Sequence, residues 1–417
     1  FKRLSIRSNA DANVTKWLKV GESLGLGYTN GYGNRGDNGE GTPISQAYRM
    51  QPIISVYDIM GNFAGTKGTG TGNGQNPLAN LYRDRNDYGK DLRAIGNAYA
   101  DVTFMKDLHF KSLFGFDYRT YNGRDILIKD PEFQEAKAAD ALSLNNNNTT
   151  QWNWVNTLNY SKTIARDHNI KVLAGTEAIS RTYNNFGAAR TTFFSTDINY
   201  MYLNAGEKDQ TNYNDGNVAN TASYFGRLNY DFKGKYLAEA TLRRDGSSVF
   251  GSNSRWGNFP AVSLGWRISE EKFMAGTKGW LDYLKIRGGY GVSGNDEMGG
   301  GGVYNGFTTF SSSNVSAAYG IGGNPSTSSA GFSHSNLGNP YAKWETTKTF
   351  NIGFDGNLFN NTLTASIDVW KRKTIDMLYR KQEPSVIGSY NLPSVNIGNM
   401  DNKGIDISLG YHNKAIG

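Results

Sequence analysis

Residues 224–248 constrain the fold more than any other stretch. Tyr224, Leu228, Tyr230 and Phe232 fall on one parity, and after Lys233-Gly234-Lys235 the same parity continues through Tyr236, Ala238, Ala240 and Leu242. Arg227, Asn229, Asp231, Glu239, Thr241 and Arg243 hold the other parity. Successive side chains of a strand point to opposite faces, so the spacing predicts a hairpin with one apolar face and one polar face.

The pattern recurs along the chain. Leu4, Ile6, Ala10 and Ala12 alternate with polar residues, as do Leu18, Val20, Leu24, Leu26 and Tyr28 after a turn at 14–17. Ala98–Phe104, Phe110–Tyr118, Trp152–Tyr160, Ile170–Ala178, Val262–Ile268, Leu284–Val292, Phe350–Phe354, Leu363–Val369 and Ile405–Tyr411 repeat it. Alternation therefore predicts about thirteen strands. Short connections near 14–17, 105–108, 163–168, 233–235, 269–281 and 359–361 alternate with long ones near 30–91, 123–150, 184–220, 246–258, 294–345 and 374–402.

An up-and-down meander puts all the short turns at one end and all the long loops at the other, as transmembrane β-barrels do with their short periplasmic turns and long extracellular loops. Segments near 9–11 residues suit a tilted membrane strand, whereas soluble strands cluster near five or six. Trp17, Tyr28, Tyr118, Trp152, Tyr224, Tyr236 and Trp266 are expected toward strand ends as an interfacial girdle, although such residues are common in any sheet. The fold class is all-β, an antiparallel up-and-down barrel. Leu24, Leu26, Trp152, Leu158, Tyr224, Leu228, Tyr230, Leu242, Leu264, Trp266, Ile286, Ile352, Ile367, Ile407 and Leu409 are its expected lipid-facing side chains.

Composition agrees. The 417 residues include 51 Gly, yet 13% are aromatic, too many for a wholly disordered chain. No run approaches the roughly 20 apolar residues of a membrane-spanning helix. There is no cysteine, which removes disulfides and thiol chemistry. The net charge of +7 is dispersed, so a nucleic-acid groove is not expected.

Catalytic and metal motifs fail on spacing. The glycine tracts at 65–74 and 299–302 lack the Gly-Lys-Ser/Thr of a phosphate cradle and read as flexible loop. Asn212–Asn217 lacks the calcium-loop pattern and reads as an Asn/Asp turn. His109, His168, His334 and His412 show no ligand spacing, so no cofactor, metal or catalytic centre is expected. Residues 44–50 suit a short helical turn stopped by Pro52 before an extended Ile53–Asp58 segment. That loop either meets a partner or anchors itself. On the polar parity near the long-loop ends, Tyr121, Tyr183 and Arg243, with Trp344 at a loop base, suit a sugar or peptide substrate. The alternative is a structural role for each.

The words "YFGRLNYDFKGKYLAEATLRRDGSSVFG", "RWGNFPAVSLGWRISEEKFM", "LDYLKIRGGYGVSGN" and "NIGNMDNKGIDISLGY", in this order, resemble the barrel of SusC/RagA-type TonB-dependent transporters. The resemblance covers nearly the whole chain and is weakest at 184–220 and 300–335. It implies outer-membrane import of large nutrients, oligosaccharides or peptides, with a SusD-like surface lipoprotein as lid, TonB acting through a plug, and lipid and lipopolysaccharide around the wall. Such transporters have a plug domain and a barrel of about twenty-two strands. Residues 1–417 are therefore expected to be an interior part of one barrel domain, with the plug and the C-terminal strands absent from this chain. A passive porin or adhesin, or a soluble carbohydrate-binding β protein, are the alternatives.

Overall fold

The computed structural model describes residues 1–31, 41–297, 302–320, 328–380, 384, 386 and 392–412. The first half contributes β1 (Lys2–Asn13), β2 (Leu18–Gly31), β3 (Tyr88–Met105), β4 (Leu108–Leu127), β5 (Ala141–Ile164), β6 (His168–Phe193) and β7 (Gly206–Phe232). The second contributes β8 (Tyr236–Ser247), β9 (Trp256–Arg267), β10 (Leu281–Asn295), β11 (Thr309–Gly320), β12 (Ser328–Asn336), β13 (Glu345–Leu358), β14 (Leu363–Ile375), β15 (Leu378–Arg380), β16 (Ser394–Asn396) and β17 (Met400–Tyr411). A 13-stranded antiparallel sheet runs β1 to β10, then β13, β14 and β17, each strand beside its neighbour in the meander. Strands β11–β12 and β15–β16 are hairpins within long loops.

Register puts the alternating apolar residues on one continuous face. Leu158 opposes Ala174, Tyr230 opposes Ala238, Ala238 opposes Leu264, and Ile286 opposes both Trp266 and Phe354. Ile367 opposes Phe354 on one side and Ile407 on the other. Among the expected lipid-facing residues, Leu24, Tyr230 and Ile367 are half-buried and the rest exposed. The turns close tightly: Lys233 and Gly234 adopt positive φ (57° and 65°), and the Lys235 N–H donates to the Phe232 carbonyl at 2.9 Å. Such left-handed residues match a hairpin's twist.

The four central strands are longer than alternation predicts. Residues 123–150 and 184–220 are mostly strand, with connections only at 128–140 and 194–205. These extensions are rich in Asn, Thr and Gly, so neither face carries an apolar signal, and ladder hydrogen bonds sustain them. Asn212–Asn217 accordingly lies inside β7 instead of forming a turn. Asn214 there donates through Nδ2 to Asn184 Oδ1 and the Asn185 carbonyl, both at 3.1 Å. Trp152 and Tyr224, expected near strand ends, sit within β5 and β7 for the same reason.

The extended strands and loops pack. Helix α1 (Pro43–Arg49) forms at the expected place, capped by Thr42, whose hydroxyl accepts from the Ser45 N–H at 3.2 Å. Helix α2 (Pro77–Arg83), unmarked by any periodicity, is capped by the buried Asn76, whose amide also donates to the Val56 and Ala64 carbonyls at 2.8 Å. The Ile53–Asp58 segment is turns plus one bridge, Tyr57 to Phe63, and not a strand. The tract 65–74 is not a loose linker. Thr66 is fully buried and donates to the Gly74 carbonyl at 3.0 Å, while a Cβ on Gly65 would stand 2.5 Å from the Glu132 carbonyl oxygen. In the second tract, residues 299–301 lie outside the described residues.

Candidate inner-face site

The polar parity forms the opposite face, where charges pair across strands. Arg93 donates through Nε to Asp117 at 2.9 Å and Arg119 through Nε to Asp91 at 2.7 Å, linking β3 to β4 twice. Arg181 reaches Gln151 at 2.7 Å. Arg287 on β10 donates to Asp355 from Nε at 3.0 Å and to Asp368 from Nη1 at 2.5 Å, so one guanidinium ties β10, β13 and β14. Forked guanidinium–carboxylate geometry fixes orientation as well as charge. Near the turn end this face makes a shallow cavity of about 700 Å³, lined by Lys171, Asn229, Glu239, Lys285, Arg287 and Asn351 among others.

Of the residues nominated from sequence, Tyr121 and Tyr183 stand on the inner parity of the extensions of β4 and β6. Each is half-buried, with β5 between them: Tyr121 opposes Asn147, and Tyr183 opposes Thr149. The Tyr121 ring lies over two glycines, since a Cβ on Gly89 would meet its hydroxyl at 2.8 Å and one on Gly123 its ring at 3.1 Å. Glycine there lets the ring lie flat against the wall.

Arg243 and Trp344 are not grouped with the tyrosines. Arg243 is engaged by Glu177 (2.7 Å), Ser223 (2.8 Å) and Asp245 (3.0 Å), with its guanidinium 5.3 Å from the Phe225 ring centroid. Trp344 is buried with Val249, Phe250, Phe259 and Ala342. Its ring centroid is 5.2 Å from that of Phe250 and 5.3 Å from that of Phe259, and Nε1 donates to the Arg255 carbonyl at 3.0 Å. Its faces and its donor are taken by the protein.

Three asparagines beside the tyrosines gave no signal beyond the run Asn145–Asn148. Asn145, Asn147 and Asn185 each present a buried side-chain oxygen without a donor. Asn147 and Asn185 are directly opposed on the inner parity, next to Tyr121. Unpaired acceptors of this kind are costly and call for a donor.

Above the sheet the loops form packed lobes. Asn305, fully buried, donates to the Ser394 carbonyl at 3.1 Å and accepts from the Ser394 N–H at 2.6 Å, joining the loop after β10 to β16. Ile126, Leu142, Phe193 and Met201 make a second core over the tips of β4–β7. Beside it Arg83 pairs with Glu132 at 2.6 Å. Burial raises the carboxyl of Asp87 to about 6, against the opposing pull of the Ile126 N–H that it accepts at 2.8 Å. The four histidines stay apart, and no cluster of metal-ligating side chains occurs among the described residues.

Residues 11–415 match the family model described as "TonB dependent receptor-like, beta-barrel". The chain is 29% identical over 98% of its length to TonB-dependent receptor P39 of Formosa agariphila, covering 37% of that protein. To TonB-dependent receptor SusC of Bacteroides thetaiotaomicron it is 31% identical over 80% of its length, covering 32%. The solved RagAB peptide transporter aligns with 98% of the chain and 44% of its own at 26% identity and a TM-score of 0.82. The chain thus spans about two fifths of the length of P39 and of a second Formosa agariphila relative, TonB-dependent receptor P3, to which it is 30% identical over 99% of its length. With that match across nearly all its residues, the chain belongs to the TonB-dependent receptor β-barrel family and, resembling the SusC and RagA proteins, forms part of an outer-membrane β-barrel.

Proposed function

We propose that the chain supplies wall and outer loops to a SusC-like importer of oligomeric nutrients, oligosaccharide or peptide. TonB drives it through a plug, and a SusD-like lipoprotein seats on the packed loops. The observation that supports this reading is the opposition of faces across thirteen strands, one apolar and the other carrying the cross-strand ion pairs, with both buried loop clusters among the described residues at one end. The apolar face meets lipid. Tyr224 and Phe232, eight residues apart on β7, are separated by about 27 Å along the strand at about 3.4 Å per residue. At a tilt of about 40° this gives a height of about 20 Å, near the ~25 Å of a barrel's lipid band.

The substrate contacts are Tyr121 and Tyr183 with the acceptors of Asn147 and Asn185 between them, a platform for hydroxyl or amide donors. Arg243 and Trp344 serve as struts. The test uses the full-length protein in its own cells. Deleting it should abolish uptake of one labelled oligomer class, and the Tyr121→Ala/Tyr183→Ala pair should lower that uptake roughly tenfold, two aromatic contacts being worth about 0.5–1.5 kcal/mol each. Uptake that survives collapse of the proton gradient would mark a passive porin. An epitope at Asn73 should be reachable on intact cells and one at Gly234 hidden; the reverse would invert the sidedness.

A further inference from the structure

Strand β7 outruns its neighbour on one side only. It pairs with β6 from Gly206 to Phe232, whereas β8 reaches it only over Thr221–Phe232. Residues 211–220 therefore have a strand on one side and none on the other. The N–H and C=O of one residue in such a ladder point the same way, and successive residues point to opposite neighbours. Two contacts fix the phase: the Ser248 N–H donates to the Asn220 carbonyl at 2.9 Å, and the Tyr304 hydroxyl donates to the Gly216 carbonyl at 3.0 Å. With no register shift between Thr211 and Phe232, Asn212, Asn214, Gly216, Val218 and Asn220 all aim their backbone groups at the side that β8 leaves open.

Part of this edge is closed. Ser248 Oγ also accepts from the Asn220 N–H at 2.9 Å, and Asp215 Oδ1 accepts from the Gly216 N–H at 2.7 Å. The tip carries Glu207, Lys208 and a left-handed Asp209 (φ 51°), the charges and irregularity that blunt a strand edge. Between these points Asn212, Asn214 and Val218 are exposed, and their backbone groups have no partner on the open side among the described residues.

We infer that the open edge of β7, from Asn212 to Val218, binds an extended peptide as an added strand. Its chemistry selects a peptide: a donor and an acceptor recur together at every second residue, about 7 Å apart at about 3.4 Å per residue, which is the period of another peptide backbone. Sugar hydroxyls follow no such alternation. Continuity selects a cargo peptide over a partner protein, because Asn217 directly opposes Tyr183 and Asp215 directly opposes Asn185 on the polar face. An added strand would lay alternate side chains beside that surface. The inference rests on the reading of Tyr183 and Asn185 as substrate contacts, and it narrows the substrate to peptide.

The test takes the full-length protein in detergent with three probes: the peptide acetyl-Thr-Val-Thr-Lys-Thr-Val-Thr-amide, the same peptide N-methylated at every residue, and a glucose heptamer. Residue-resolved hydrogen exchange reports on the edge. The unmethylated peptide should slow exchange of the Asn212, Asn214 and Val218 amides on the order of tenfold, and leave those of Tyr213 and Asn217, which face β6, unchanged. The other two probes should slow none. Val218→Pro removes one edge donor and spares the β6 ladder, an orientation in which edge strands tolerate proline. It should weaken peptide binding roughly tenfold while Val218→Thr binds like wild type, heat-modifiable migration showing that both fold. Unchanged exchange with the peptide, equal protection by the methylated peptide, or protection by the glucose heptamer would overturn the inference. Protection of the three amides before any peptide is added, by the protein alone or with a SusD-like lipoprotein, would give the edge to another segment, a second copy or the lid, and overturn it too. Failure of the underlying reading is distinguishable: Tyr121→Ala/Tyr183→Ala would then leave uptake unchanged while peptide still protected the edge amides.

Discussion

The lower and upper parts of this sheet obey different rules. In the lower part, represented by β8, β9, β14 and β17 with 12 or 13 residues each, a mostly apolar face backs a mostly polar one by alternation. In the upper part, β4 to β7 run on to 20–27 residues through segments polar on both faces, capped by packed loop cores. A lipid band requires apolar side chains at one parity, whereas a wall standing in water requires only a satisfied ladder and a cap. Comparing the two separates what a parity position does from what its height does.

The largest expected effect tests the cap. Phe250 is 1% exposed against Trp344, and Phe250→Ala should cost about 3–5 kcal/mol, the range for emptying an aromatic core site. Hydrogen exchange should accelerate at 302–305, 337–344 and 394–397 while β14 and β17 keep their protection. Equal acceleration in both would show one cooperative unit and dissolve the distinction between lower and upper parts.

Next comes height at constant parity. Leu228 lies midway between Tyr224 and Phe232, and Leu228→Arg should cost about 2–4 kcal/mol in the full-length barrel, as arginine does near the bilayer midplane. Thr182, exposed on the same parity but fourteen residues beyond the start of β6, should accept arginine within about 0.5 kcal/mol. Urea unfolding in lipid measures both, and equal costs would mean that the band extends into the upper wall.

Smaller, and confined to the upper part, is the effect of Asp87. Its carboxyl is raised to about 6 from an ordinary 3.8, so the folded state holds its proton where the unfolded chain has released it. The fold around β3 and β4 is therefore favoured below about pH 4 and loses that advantage as pH rises through about 6. Asp87→Asn should slow exchange of the Ile126 amide at pH 7 and leave it unchanged at pH 4. Slowing at both values would assign the effect to hydrogen bonding instead of charge.

The legibility of the candidate site followed the same division. Parity alone put Tyr121 and Tyr183 on the polar face of the sheet, because β4 and β6 keep their register along their whole length. It gave no hint that Trp344 would be enclosed by Phe250 and Phe259, since those contacts join loops far apart in sequence. The acceptors of Asn145, Asn147 and Asn185 were equally hidden, because a run of asparagines reads as loop unless its ladder partners are known.

By itself the sequence determined the thirteen strands, their order and the chemistry of both faces of the lower part. Alternation at period two is a local code, and short turns such as Lys233-Gly234-Lys235 leave a strand one neighbour to pair with. Only the tertiary structure decided how far β4 to β7 extend, that residues 65–74 pack, and which side chains the lobes bury. Those outcomes depend on which backbone groups and rings meet across long sequence distances. Asn305 with Ser394 and Gly65 with Glu132 are such meetings, and neither residue's identity carries a periodic trace of its partner. Lys348 opposite Lys373 and Lys371 opposite Lys403 belong to the same class, since only strand pairing places these like charges side by side.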